Sequence, residues 1–380
     1  MRDNNFERSI FGETIIASRI NDFDVSFNLN IPNTSITTTT ANGGSATSTN
    51  GQAVLSSSTA SNGSVSIETK LAAGYRPGHE TYFYFTAAFT TGVLGVDQFV
   101  GLYDSQNGFM VGYKGTQFVV IKRKGGNDVI VNAFNVDSLD GTGPSRFTLD
   151  ATKLNIYRIR YGWLGASPIL YELLTDYGTW IIFHIFKSAN LTSDVTVNDP
   201  TLPGRAEIVK NSGSTNIQIK IGCFAGGSAG DVANTSYEYF SYNNTKTISA
   251  NVHTNIFTLK NESIFINLTH HIVPLIVFLG ASTDGTKIAS IRVIKNATLG
   301  GSPSYTSVSS NISVVSADTA GTTVTGGTTE YVLPMAKSDT SALVTDRLGI
   351  TISPGDTLTF SALSTAASDV EISVRWSESH

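Results

Sequence analysis

Hydrophobic and polar residues alternate with period two along much of the chain. In "DFDVSFNLNI" the apolar positions are Phe23, Val25, Phe27, Leu29 and Ile31, which puts them on one face of a half-buried strand. "GQAVLSS" and "VSIETKL" repeat the alternation between Asn-Gly and Gly-Gly turns and read as edge strands. "ETYFYFTAAFTT" is apolar on both faces, as a strand central in a sandwich must be. The next stretch divides into "QFVGLYD", "GFMVGYK" and "QFVVIKR", a three-strand meander with turns at "SQNG" and "KGT". "NIYRIRYGWL", "PILYELLT" and "WIIFHIFKS" continue the series. In the first of these, Tyr157, Ile159, Tyr161 and Trp163 alternate with Ile156, Arg158 and Arg160, so the aromatics face a core and the arginines face water or a partner. "AEIVK" and "NIQIKIGCFAGG" close this half, with Cys223 read as a small buried hydrophobe.

Residues 230 to 252 turn polar and mark a connector. Beyond them, seven or eight further strands, from "HTNIFTLKN" to "DVEISVRWSE", are spaced as a second jelly-roll or Ig-like sandwich requires. The pattern predicts an all-β chain of two β-sandwiches. An N-terminal arm covers 1–20, a large lectin-like domain of jelly-roll or concanavalin type covers 21–240, and a smaller C-terminal sandwich covers 250–380.

Composition strengthens this reading. Charged residues are only 14% of the 380 and glycine numbers 35, so runs of strong helix formers are missing. A net charge of −5 leaves no concentrated basic face for nucleic acid, and the short run Lys122, Arg123, Lys124 reads as a solvated hairpin end. With one cysteine, neither an intrachain disulfide nor a Cys-based zinc site is expected. No window reaches about 18 apolar residues and the N-terminus lacks a signal-peptide core, so synthesis in a cytoplasm and no membrane insertion are expected.

Candidate chemistry is sparse. There is no Gly-X-Ser-X-Gly elbow and no P-loop or dinucleotide glycine pattern. His270 and His271 face opposite ways on a strand and cannot share a metal. His184 reads as a satisfied core histidine, His79 beside Glu80 as turn-fixing, and Asp104 and Asn107 as turn residues. Glycosidase chemistry needs two carboxylates about 5–9 Å apart. Glu172 with Asp176, or Asp137 with Asp140, are available, but nothing in the sequence pairs them. No catalytic, cofactor or metal residue is assigned and no enzymatic activity is expected. Tyr103, Tyr113 and Trp163 are the candidate glycan-stacking or interface aromatics.

Longer stretches add a resemblance. "FGETIIASR", "YRPGHE", "VGLYDSQNGFMVGYKGTQF", "LDGTGPSRFTLDATKLNIYRIRYGWLGASPILYEL" and "DPTLPGRAEI" resemble, in order, a family of virion structural proteins of tailed phages and other large double-stranded DNA viruses. "IRVIKNATLGGSPSYTSV", "TAGTTVTGGTTEYVLP" and "ISPGDTLTFSALS" look like the second domain that accompanies it. One departure is "IKRKGG", where the family pattern tends to carry paired arginines. The resemblance implies a virion surface component, such as a capsid decoration, spike or fibre. It also implies a homotrimer or other symmetric oligomer, with partners in further copies of itself, the capsid shell and a host surface glycan. The alternative is a carbohydrate-binding module or receptor-binding lectin stacking sugars on Tyr103, Tyr113 or Trp163. A polysaccharide depolymerase stands behind that, and it requires a cleft with two carboxylates.

Overall fold

The computed structural model describes residues 19–230, 237–344 and 348–378. It divides into two compact units, Met1–Val232 and Ala233–His380. The all-β, two-sandwich class is what it shows. Residues 1–18 of the expected arm lie outside the described residues, and Arg19 and Ile20 open the first strand.

The first unit contains β1 (Arg19–Ser26), β2 (Ile36–Ala41), β3 (Ser45–Thr49), β4 (Gln52–Ser56), β5 (Ser64–Ala73), β6 (Thr81–Phe89), β7 (Val96–Tyr103), β8 (Gly108–Lys114), β9 (Gln117–Lys124), β10 (Asn127–Val131), β11 (Asn155–Tyr161), β12 (Ile169–Leu174), β13 (Trp180–Phe186), β14 (Leu202–Lys210) and β15 (Gln218–Ala229). An eight-stranded sheet runs β13, β12, β11, β6, β15, β4, β3, with β1 also bonded to β15. A seven-stranded sheet runs β10, β9, β8, β7, β14, β5, β2. Alternate residues turn inward from both sheets. Phe83, Phe85, Tyr157, Ile159, Tyr171 and Leu173 meet Val100, Leu102, Phe109, Val111, Val120 and Ile208 in one core. The ring of Phe23 fits because Gly226 and Gly204 carry no side chain; a Cβ on Gly226 would lie 2.4 Å from Phe23 Cζ.

Several local expectations are corrected. The alternation that opens at Phe23 ends at Phe27, and Leu29 is exposed beyond β1. β4 and β5 are interior, because the Thr- and Ser-rich β3 and β2 cover their outer edges. Cys223 is exposed: the β15–β6 register shifts between Ile221 and Phe224, leaving the thiol beside Thr86. Two of the three bases in the basic run are paired, not merely solvated. Arg123 grips Asp128 through two bonds of 2.7 and 3.1 Å across the β9–β10 hairpin, and Lys124 reaches Asp194 at 2.5 Å. Burial pulls the pKa of the Lys122 amine down, with the neighbouring Lys124 charge adding to the effect.

The second unit contains β16 (Glu238–Ile248), β17 (Thr254–Asn261), β18 (Ile264–Phe265), β19 (Leu268–Thr269), β20 (Leu275–Thr283), β21 (Ala289–Lys295), β22 (Thr298–Gly301), β23 (Thr306–Ser307), β24 (Val315–Asp318), β25 (Gly321–Thr325), β26 (Thr328–Met335), β27 (Thr340–Val344), β28 (Thr357–Ser364) and β29 (Ser368–Glu378). A four-stranded sheet, β16, β29, β20, β27, and an eight-stranded sheet built on β22, β25, β17, β28, β21, β26 enclose Phe257, Leu279, Ile291, Phe360, Ile372 and Trp376. Part of the stretch read as a connector is therefore β16, eleven residues long and fully paired along β29.

Candidate functional site

On the face of the eight-stranded sheet turned away from the first unit's core, strand register decides which side chains meet. β11 turns Tyr157, Ile159 and Tyr161 inward, so Arg158 and Arg160 point outward. Pairing on both sides then sets up three cross-strand rows: Tyr84, Arg158, Glu172 and Ile182; Tyr82, Arg160, Leu170 and Ile185; Thr86, Ile156, Leu174 and Trp180.

The arginines do not face water. Arg158 donates to Glu172 through Nε (2.5 Å) and Nη2 (3.1 Å), and Arg160 donates to the same carboxylate through Nε (2.7 Å) and Nη2 (2.8 Å). The remaining Nη1 of Arg160 donates to Glu80 at 2.9 Å, and Arg19 stands 3.7 Å from the other Glu80 oxygen. Arg158, Arg160, Glu172 and Glu80 are only 3%, 6%, 2% and 1% exposed. Burial works against the charges on Arg158 and Arg160, but the hydrogen bonds and field of Glu172 outweigh it and hold both guanidiniums above their ordinary pKa. This corrects the expectation of a solvated or partner-facing arginine stripe. Its cause is the acid that register places opposite on β12.

Two aromatic rings flank the network. The Arg158 guanidinium lies 4.1 Å from the Trp180 ring centroid, and its Nη1 donates to the Tyr84 hydroxyl at 3.1 Å. The Trp180 and Tyr84 rings are 5.7 Å apart, and both are half-buried. Farther along the face, Arg76 bonds Asp22 at 3.2 Å and Ser228 at 2.6 Å, and Tyr82 donates to Asn21 at 2.7 Å. Burial pushes the Asp22 carboxyl upward against the Gly74 N–H and Arg76, and pushes the Tyr82 phenol up as well.

The three aromatics singled out in the sequence occupy separate surroundings. Tyr103 is fully buried on the side of β7 opposite Leu102, clustered with Phe99, Met110, Val119 and Ile121, and burial raises its pKa. Tyr113 leans on Phe118 (5.2 Å) and Phe89 (6.2 Å) at the core margin. Trp163 meets Tyr75 edge-on at 5.1 Å and donates its indole N–H to Val197.

The acids also sort differently. Asp137 accepts from the Leu139 and Ser145 N–H groups, and Asp140 from Ser138 and Thr142, so both organise one loop. Glu172 is brought together with Glu80, which the sequence places beside a turn, and not with Asp176. The signal available in sequence was Arg-X-Arg on one strand and Glu on the next. Asp104 accepts two turn N–H groups, His79 Nδ1 contacts the Ala229 carbonyl, and His184 is buried. Among the described residues no cluster of His, Cys, Asp or Glu could hold a metal ion.

No protein-family model and no curated protein matches the chain. Solved structures do match. A glycosyl hydrolase family protein from Mycobacterium fortuitum and a beta-1,3-glucanase from Mycobacterium marinum each show 11% identity and a TM-score of 0.40, over 55% of this chain and 99% of theirs. A glycosyl hydrolase family 16 protein from Mycobacterium smegmatis shows 10% identity and a TM-score of 0.37, over 55% of this chain and all of its own. These neighbours overturn two expectations. The virion surface component, with its capsid, spike and fibre roles, is withdrawn, and so is the expectation of no enzymatic activity. A likeness this distant assigns the chain no activity of its own.

Proposed function

We propose that the chain binds carbohydrate polymers on the outer face of the first unit's eight-stranded sheet. The observation that carries this reading is the pair of half-buried rings, Trp180 and Tyr84, 5.7 Å apart over a charge-compensated floor. Aromatic faces are electron-rich and accept the C–H faces of sugars, and rings held on strands by a fixed guanidinium lose little freedom on binding. Affinity electrophoresis in gels containing laminarin, a soluble β-1,3-glucan, hydroxyethyl cellulose or xylan tests it. Trp180→Ala is expected to weaken retardation about tenfold. Unchanged retardation in both Trp180→Ala and Tyr84→Ala overturns it.

A second reading, glycoside hydrolysis, is favoured by one observation: Arg160 brings Glu80 and Glu172 to two ends of a single guanidinium. Hydrolysis needs one carboxylic acid that donates a proton and a second carboxylate that attacks or activates water. Since Arg160 and Arg158 hold Glu172 through four bonds, a substrate has to loosen this grip before Glu172 can take either role. Reducing-end release from laminarin decides the matter. Release that is lost in both Glu172→Gln and Glu80→Gln supports hydrolysis at this site, and equal turnover in the variants removes it.

A further inference from the structure

We infer that the second unit carries its own binding face for a neutral glycan chain, on the outward side of its four-stranded sheet. The inference rests on the reading that this protein binds carbohydrate. β16 is an edge strand, bonded to β29 alone in that sheet. Phe240 and Tyr242 turn inward to the core, so Tyr237 and Tyr239 share the outward side, 46% and 52% exposed. Their rings lie 6.5 Å apart, tilted by 54°. Arg375 of β29, itself exposed, places its guanidinium 4.4 Å from the Tyr239 centroid.

Register sets polar groups beside these rings. Arg375 lies between Ser241 and Phe278, and the next outward row is Asn243, Ser373 and Gly280. Asn243 donates to Glu371 at 3.2 Å. Ser373 and the Phe278 ring close over Gly280, where a Cβ would sit 2.9 Å from Ser373 Oγ and 3.1 Å from the ring. Rings, hydroxyls, an amide and a guanidinium therefore alternate at the roughly 4.8 Å spacing of neighbouring strands.

That alternation suits a sugar chain, which offers an apolar C–H face and a rim of hydroxyls at each unit. A protein partner would be better served by a contiguous apolar centre with a polar rim, and here the rings are interrupted by Ser241, Asn243 and Ser373. Glu371 and Asp369 share the outward side of β29 with Arg375, four and six residues along the strand, so the face carries more acid than base, which disfavours an anionic ligand. Two sites on one chain would raise retention on a polymer beyond either site alone.

The test uses the full chain in the same polysaccharide gels. With Trp180→Ala removing the first-unit platform, residual retardation is expected in at least one polymer. Adding Tyr237→Ala and Tyr239→Ala should lower it about fivefold to tenfold, while Tyr239→Phe, which keeps the ring, retains it. A Trp180→Ala protein whose retardation is unaffected by the tyrosine substitutions, or that shows none in any of the three polymers, overturns the inference. If the tyrosine substitutions alone weaken binding and neither Trp180→Ala nor Tyr84→Ala does, the first-unit reading fails and this one stands. Unchanged thermal melting of the exposed tyrosine variants separates loss of binding from loss of fold.

Discussion

Two outward-facing arginines, one in each unit, have opposite fates. Arg158 is 3% exposed, bidentate on Glu172 and 4.1 Å from Trp180; Arg375 is exposed and rests 4.4 Å over Tyr239. Both sit on strands whose alternate residues fill a core. The difference lies in the neighbour that register supplies: Glu172 opposite Arg158, but Ser241 and Phe278 opposite Arg375. An outward arginine becomes internal structure when an acid stands across from it, and stays a surface group when none does.

The largest effect that sharpens this contrast is expected from Glu172→Ala. Removing the shared carboxylate leaves two buried guanidiniums short of their acceptors, at a cost of about 3–5 kcal/mol. A fall of that size in urea-denaturation stability is expected. A loss under about 1 kcal/mol would show that the two arginines are no more than surface charges. Glu172→Gln, which keeps the volume and one acceptor, should fall between the two.

Histidine titration compares the two units next. Burial pushes His184 below its ordinary pKa of 6.5; burial and the nearby Arg292 do the same to His253 in the second unit. His184 is ringed by Phe134, Tyr171 and Phe186, and its Nδ1 accepts from the Asn135 N–H at 3.4 Å. The unfolded chain takes up a proton near pH 6.5 that the folded chain resists, so the neutral ring's contribution is present above that pH and is lost as the pH falls. Melting temperature should drop from pH 7 to pH 5, less steeply in His184→Phe. The same slope in His184→Phe and in wild type would assign the effect elsewhere, with His253→Gln as the next variant to measure.

How much of this was legible in the sequence follows from where each feature is encoded. Strands such as β6 and the β7 to β9 meander are local: period-two alternation and Gly-containing turns mark them within a dozen residues. The Arg158–Glu172 pair needed the register of one hairpin, and its extension through Arg160 to Glu80 needed β6 and β11 to be neighbours although Glu80 and Arg160 are 80 positions apart. Alternation also says that Tyr103 and Tyr84 each point away from the main core. It does not say that Tyr103 joins a second buried cluster while Tyr84 stays partly accessible. Cys223 was misread because a one-strand irregularity between Ile221 and Phe224 breaks the period.

Trp180→Ala is the next smaller step in stability. It removes the ring that covers Arg158 without touching the carboxylate, so the expected cost is about 1–2 kcal/mol, the range of a partly desolvated cation–π contact with some lost apolar cover. Sugar retention should suffer more than stability does. Retained binding alongside a destabilisation of several kcal/mol would mean that Trp180 serves the fold instead of a ligand.

The smallest effect is expected at the other end of the contrast. Arg375→Ala removes a guanidinium that has an aromatic face beneath it and water around it, so about 0.5–1 kcal/mol is at stake. That contact is electrostatic and exposed, and its contribution should shrink as salt screens it. Denaturation at low and high ionic strength measures this directly. The difference between wild type and Arg375→Ala should narrow in 1 M salt, whereas the Glu172→Ala deficit, lying among residues less than a tenth exposed, should persist. A salt-insensitive loss of several kcal/mol at Arg375 would erase the distinction between the two arginines, and with it the argument that the acid supplied by register is what makes one of them structural.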